Sequence, residues 1–243
     1  MQRVFFLFVK STIPVLLLLF SSCMLPSVGS ISPPIRIHSI IPLQRVSIWD
    51  YEAHLYGSSG ELIPSENIIT LSIDNAWVLK EDGTLEYSTF DEQSNSNNIC
   101  FSYKWQNQEN GLIVQYKSTG IPGIYIIGTY TFNSKVIFPV PKLWLAYPAD
   151  QGFTYTLSLD SDTDSSRFIK MEVASVKDTF CLSDFNVQSI SGLTFLECYL
   201  YKESISDTIY YYYYNPEYGA LGFQQIYRNQ LRKSYILRSF KHL

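Results

Sequence analysis

Few residues in this sequence could do chemistry, and they are scattered. A cysteine or serine nucleophile normally wants a neighbouring base, most often histidine. Only His38, His54 and His242 exist. His38 borders a proline-containing stretch and His242 is penultimate, which leaves His54 as the one histidine inside a patterned segment. No Gly-x-Ser-x-Gly, His-Glu-x-x-His or phosphate-binding glycine loop occurs. The common hydrolase and metalloenzyme designs therefore find no support, and we expect no catalytic set, no metal and no cofactor. Asp160, Asp162 and Asp164 are spaced like the start of a calcium loop. An EF-hand needs Gly at position six and Glu at position twelve, and Ser165 and Met171 stand there instead. A polar hairpin loop between Leu159 and Arg167 accounts for the run more simply.

Two other groups stand out. Cys100, Cys181 and Cys198 follow Cys23. In an oxidising compartment one disulfide is allowed, most simply Cys181–Cys198 with the shorter loop. Alternatively all three are small buried apolar groups. Tyr210 to Tyr214 is an unbroken tyrosine run. On a strand, Tyr210, Tyr212 and Tyr214 share one face, which could meet a sugar ring, a lipid or a protein partner. The competing explanation is a strand buried on both faces with hydroxyls at its rim. The basic tail, with Arg228, Arg232, Lys233, Arg238 and Lys241, could touch anionic lipid. A solvated face on an edge strand, where charges guard against pairing, is the more frequent explanation.

Residues 1–22 have the layout of an export signal. Arg3 and Lys10 precede an apolar run from Ile13 to Phe20, then small Ser21 and Ser22. The run after Lys10 is well short of the ~20 residues that span a bilayer. Leu19-Phe20-Ser21-Ser22-Cys23 resembles a bacterial lipobox, which implies cleavage before Cys23 and lipidation of its thiol. Phe20 departs from the usual small aliphatic residue. Ordinary cleavage near Val28-Gly29-Ser30 would instead discard Cys23. Lipidation would provide a membrane anchor, because several acyl chains hold stably where one is marginal. Met24, rather than Asp, follows the cysteine, which favours the outer membrane. Pro26, Pro33 and Pro34 make residues 23–36 read as lipidated cysteine plus tether.

The rest must position whatever site exists. The chain is 46% hydrophobic, with 19 Tyr and 15 Phe, a composition that favours pleated strands and excludes general disorder. Without residues 1–22 the net charge falls from −4 to −6, and no basic footprint for nucleic acid is present. Short strand-like runs recur between turn signals, as in Ser47 to Tyr56, Asn67 to Ile73, Leu85 to Phe90, Ile124 to Phe132 and Thr208 to Tyr214. Ile99 to Trp105 and Gly111 to Lys117 read as a hairpin. Asp91 to Asn98 is a polar loop. No helical period is sustained, and one short helix could occupy Lys177 to Val187. Pro139, Pro141 and Pro148 mark a loop or a boundary, since Pro is confined to edges and strand ends. We expect residues 37–243 to form a single, mostly antiparallel all-β domain: a curved sheet, open barrel or sandwich.

Three segments resemble a loose group of uncharacterised bacterial lipoproteins and secreted β proteins. They are Leu145 to Thr154 (LAYPADQGFT), Ile190 to Tyr199 (ISGLTFLECY) and Tyr212 to Leu221 (YYYNPEYGAL). The group carries Tyr-Pro…Gly…Trp, then Gly-Thr-Phe…Cys-aromatic, then an aromatic strand turning through Pro-Gly-Val-Gly. Here Phe153 stands near the Trp position, Leu193 is inserted, and Glu217-Tyr218 replaces Gly-Val. The likeness covers about the last hundred residues. It implies an antiparallel β fold in the cell envelope and no particular activity. Independently, Gly152 and Gly219 fit positive-φ turn positions, and Asn215-Pro216 is turn chemistry.

Two functions are compatible with these residues. One is a non-enzymatic envelope binding or assembly module for a lipid, a glycan or a protein partner. A carried ligand predicts an apolar cavity, whereas a protein partner predicts an exposed aromatic patch. The other is a carboxylate-based hydrolase acting on an envelope or glycan substrate, which predicts a cleft lined by perturbed carboxyls.

Overall fold

From Ser47 to Ala53 every second side chain is buried and those between are half-exposed. This is the period-two signature of a strand with one face on a core. The computed structural model describes residues 39–43, 45–64, 68–88, 98–158, 168–181 and 194–242. Ile37–Leu243 clusters as one compact unit. The export signal, Cys23 and the tether lie outside the described residues, as do His38 and Asp160 to Asp164.

Fifteen strands are present among the described residues. They are β1 (Ser47–Tyr56), β2 (Leu62–Ile63), β3 (Ile68–Ile73), β4 (Ala76–Leu79), β5 (Leu85–Tyr87), β6 (Ile99–Trp105), β7 (Gly111–Lys117) and β8 (Gly123–Tyr130). After these come β9 (Lys135–Ala146), β10 (Thr154–Ser158), β11 (Phe168–Cys181), β12 (Thr194–Ile205), β13 (Thr208–Asn215), β14 (Gly219–Tyr227) and β15 (Gln230–His242). The spatial order is β10-β11-β12-β13-β14-β15-β1-β3-β6-β7-β8-β9, with β2, β4 and β5 off this path. Neighbours on the path pair antiparallel. The fold is an all-β sheet curled into a nearly closed barrel, with no helix among the described residues.

Phenol groups join the two ends of the sheet in place of a backbone ladder. Tyr155 of β10 donates to the Trp144 carbonyl of β9 at 2.5 Å and accepts from the Ala146 N–H at 3.3 Å. Tyr201 of β12 donates to the Ala146 carbonyl at 2.7 Å. Backbone groups on an open edge invite pairing with another chain, and these hydroxyls occupy them.

The main core is rich in aromatic residues. Trp49, Tyr51, Tyr201 and Tyr214 are fully buried. Trp49 Nε1 donates to the Tyr218 carbonyl at 2.7 Å, and Tyr51 donates to that of Ala220 at 2.8 Å. The start of β14 is thereby tied to β1. β6 is buried on both faces. Phe101 and Tyr103 enter the main core, while Cys100 packs with Trp77, Ile113 and Ile127 in a second, smaller one.

Two expectations need correction. Lys177 to Cys181 belongs to β11 rather than to a short helix, because β12 supplies a partner through the pairs Asp178–Cys198 and Phe180–Phe195. Pro139 and Pro141 lie inside β9 and divide nothing. The β8–β9 register jumps from Ile126–Lys142 to Gly128–Ile137. Both prolines fall in that bulge, where no ladder donor is required of them.

Candidate functional site

The alternation that builds the strands also decides what faces the barrel interior. On β12, Tyr201 is fully buried, so Glu203 two residues on points to the same side. Across the β12–β13 ladder Glu203 pairs with Tyr210 and Tyr201 with Tyr212. A carboxyl is thus placed on an inward face that is otherwise aromatic.

A cavity of about 390 Å³ opens there, inside the roughly 300–1,000 Å³ typical of small-molecule sites. β3 and each of β6 through β15 contribute side chains to its wall. Aromatic residues are the largest group in the wall, followed by aliphatic ones. Trp105 meets Phe223 edge-on at 5.0 Å between ring centroids, and Tyr212 meets Phe223 at 5.5 Å. Tyr103 packs on Trp144 at 4.9 Å. Tyr210 stacks along Tyr212 at 6.4 Å. Ile69, Leu112 and Leu157 supply aliphatic surface, and Asn107 and Gln108 line it from the β6–β7 turn.

Glu203 is the one charged group in this lining, among the described residues. Tyr212 donates its hydroxyl to Glu203 Oε2 at 2.5 Å. Burial pushes the carboxyl above the usual carboxylate range, and the Tyr212 hydrogen bond pulls in the opposite direction. Tyr212 is itself held strongly protonated, first by burial and then by the charge of Glu203. The Tyr103 hydroxyl is buried and interacts electrostatically with that of Tyr214, yet neither makes a hydrogen bond of standard geometry.

The tyrosine run divides in a graded way. Tyr210 and Tyr212 line the cavity. Tyr214 lies deeper, fully buried and edge-on to Tyr201 at 5.7 Å, so it belongs to the core. Tyr211 and Tyr213, on the opposite face, are half-buried. His54 projects from the outer face of β1, with Nε2 3.5 Å from Glu52 Oε1, and the cavity lining does not include it. Cys198 is fully buried in the main core, and the Cys181 side chain lies outside the described residues. Cys100 is fully buried, and burial pushes its thiol up to about 12. Among the described residues no three His, Cys, Asp or Glu side chains cluster as metal ligands.

Glu203 was not singled out by its sequence. Its neighbours Lys202 and Ser204 make it read as one more polar position near a strand end. A legible signal is its parity with the aromatic positions Tyr199 and Tyr201 on the same strand.

No protein-family model and no curated protein matches this sequence. Among solved structures, a Bacteroides fragilis protein thought to be exported, with a YmcC-like fold, aligns with 83% of this chain and 98% of its own. The identity is 13% and the TM-score 0.37. A protein thought to be a lipoprotein, from Parabacteroides distasonis, aligns with 84% of this chain and 99% of its own at 12% identity and a TM-score of 0.30. Likeness at this level carries no functional argument.

Proposed function

We propose that this chain is an exported lipoprotein, anchored to the outer membrane through Cys23, whose β domain is a non-enzymatic binding module. Its ligand is a small lipid-like molecule whose apolar part enters the aromatic cavity. The observation that carries this reading is the cavity itself: aromatic and aliphatic side chains surround a few placed polar groups, the usual composition of a ligand site. The hydrolase alternative commonly needs two carboxyls flanking the scissile bond. The described lining holds Glu203 alone, which favours binding over hydrolysis.

Two measurements test the proposal. Native mass spectrometry of the gently purified chain should show an added mass that disappears on denaturation. A clean unliganded mass, together with no binding of apolar probes, would sink the ligand-carrying reading. Metabolic labelling with a radioactive fatty acid should mark the wild type and not Cys23→Ser. Equal labelling of both would place the anchor elsewhere.

A further inference from the structure

A carboxylate offers about four acceptor positions, and Tyr212 uses one at Glu203 Oε2. The remaining capacity faces a cavity whose described lining contains no Lys, Arg or His. Removing a charge from water is costly unless a partner compensates it. Tyr210 stands opposite Glu203 across the ladder and Tyr212 donates to it, while Phe223 packs on Tyr212 and Trp105 on Phe223 in the same lining. Aromatic faces carry negative potential and attract cations, most strongly when both are desolvated. Negative charge and π-faces therefore converge on one volume, and the complementary ligand group is positive.

Resting on the cavity reading above, we propose that the ligand carries a protonated amine. Its ammonium group pairs with Glu203 among Tyr210, Tyr212 and Phe223, and its apolar body lies against Trp105 and Trp144. A neutral alcohol would gain the same apolar burial without the ion pair. A carboxylate would be repelled.

The test compares three probes with the same eight-carbon body: octylammonium, octanol and octanoate. The chain carries Cys23→Ser and is exported behind a cleavable signal peptide. Binding is read from tryptophan fluorescence, because Trp105 and Trp144 line the cavity. Octylammonium should bind roughly tenfold or more tightly than octanol, as charge-assisted hydrogen bonds exceed neutral ones, and octanoate should bind weakest. Glu203→Gln keeps an acceptor for Tyr212 and removes the charge. It should erase the preference for the amine while octanol still binds. If octanol matches octylammonium in the wild type, the ammonium inference is overturned and the cavity reading survives. Failure of all three probes overturns the cavity reading itself. The wild-type comparison decides the matter even if the Glu203→Gln chain does not fold.

Discussion

Tyr155 donates its hydroxyl to the Trp144 carbonyl at 2.5 Å, and this contact ties the first strand of the sheet path to the last. With Tyr201 on Ala146, it replaces the ladder that would otherwise close the barrel. Tyr155→Phe should destabilise the fold by about 1–3 kcal/mol, the usual result of leaving a buried partner unsatisfied. Tyr201→Phe should behave similarly. Both act on one seam, so the double variant should lose less than the sum by roughly 0.5 kcal/mol or more. Urea denaturation followed by circular dichroism measures this. Strict additivity would mean that the two bonds act independently.

Gly152 and Gly219 both have left-handed backbone, with φ of 86° and 76°, as their turn positions suggest. Their surroundings differ. A Cβ at Gly152 would meet open space, whereas one at Gly219 would come within 2.8 Å of Pro42 Cδ and 3.3 Å of the Trp49 ring. Gly152→Ala should therefore cost about 1 kcal/mol, the left-handed penalty alone. Gly219→Ala should cost about 2–4 kcal/mol once overpacking is added. Equal losses in denaturant midpoint would contradict this account.

Glu203 titrates above its ordinary range because of burial. In the interval between the unfolded and the raised folded pKa, the native state binds more protons than the unfolded state. Stability contributed by this group therefore falls as pH rises through that interval. Glu203→Gln lacks the penalty, so its stability relative to wild type should improve from acid toward neutral pH. The other titratable groups of the lining are the phenols Tyr103, Tyr210, Tyr212 and Tyr235. Phenols as a class ionise near pH 10, far from the carboxylate range. A pH-independent difference between the two chains would show that Glu203 is not desolvated. Octylammonium binding should weaken on acidification in the wild type, as Glu203 protonates, and stay flat in Glu203→Gln.

The Cys100 thiol is fully enclosed and its ionisation is pushed up to about 12. Thiolates, not thiols, react with alkylating reagents. Peptide mapping after iodoacetamide treatment at pH 8 should find Cys100 unmodified in the folded chain and modified once the chain is unfolded. Rapid native labelling would require opening of the smaller core around Trp77 and Ile113.

Much of the architecture is local and could be read from residue types. β1, β6 and β7 match the runs Ser47 to Tyr56, Ile99 to Trp105 and Gly111 to Lys117 residue for residue, because short apolar and aromatic runs between turn residues mark strands locally. The turn that joins β14 to β15 is built by Arg228 and Asn229. Both residues have positive φ, and Asn suits the tight hairpin that joins β14 to β15. Where local signals competed with distant partners they misled. Lys177 to Cys181 has weak strand character but is held in β11 by β12, and the β9 prolines are tolerated because β8 leaves a bulge opposite them. The site belongs to a third category. Glu203, Tyr103, Trp105 and Phe223 lie on three strands, β12, β6 and β14, and only the closing of the sheet brings them to one volume. What the sequence alone determined was strand identity, because pleat and turn chemistry act between near neighbours. Tertiary structure decided that Tyr210 and Tyr212 face a cavity while Tyr214 fills the core, because burial depends on how far along a curled sheet each residue sits.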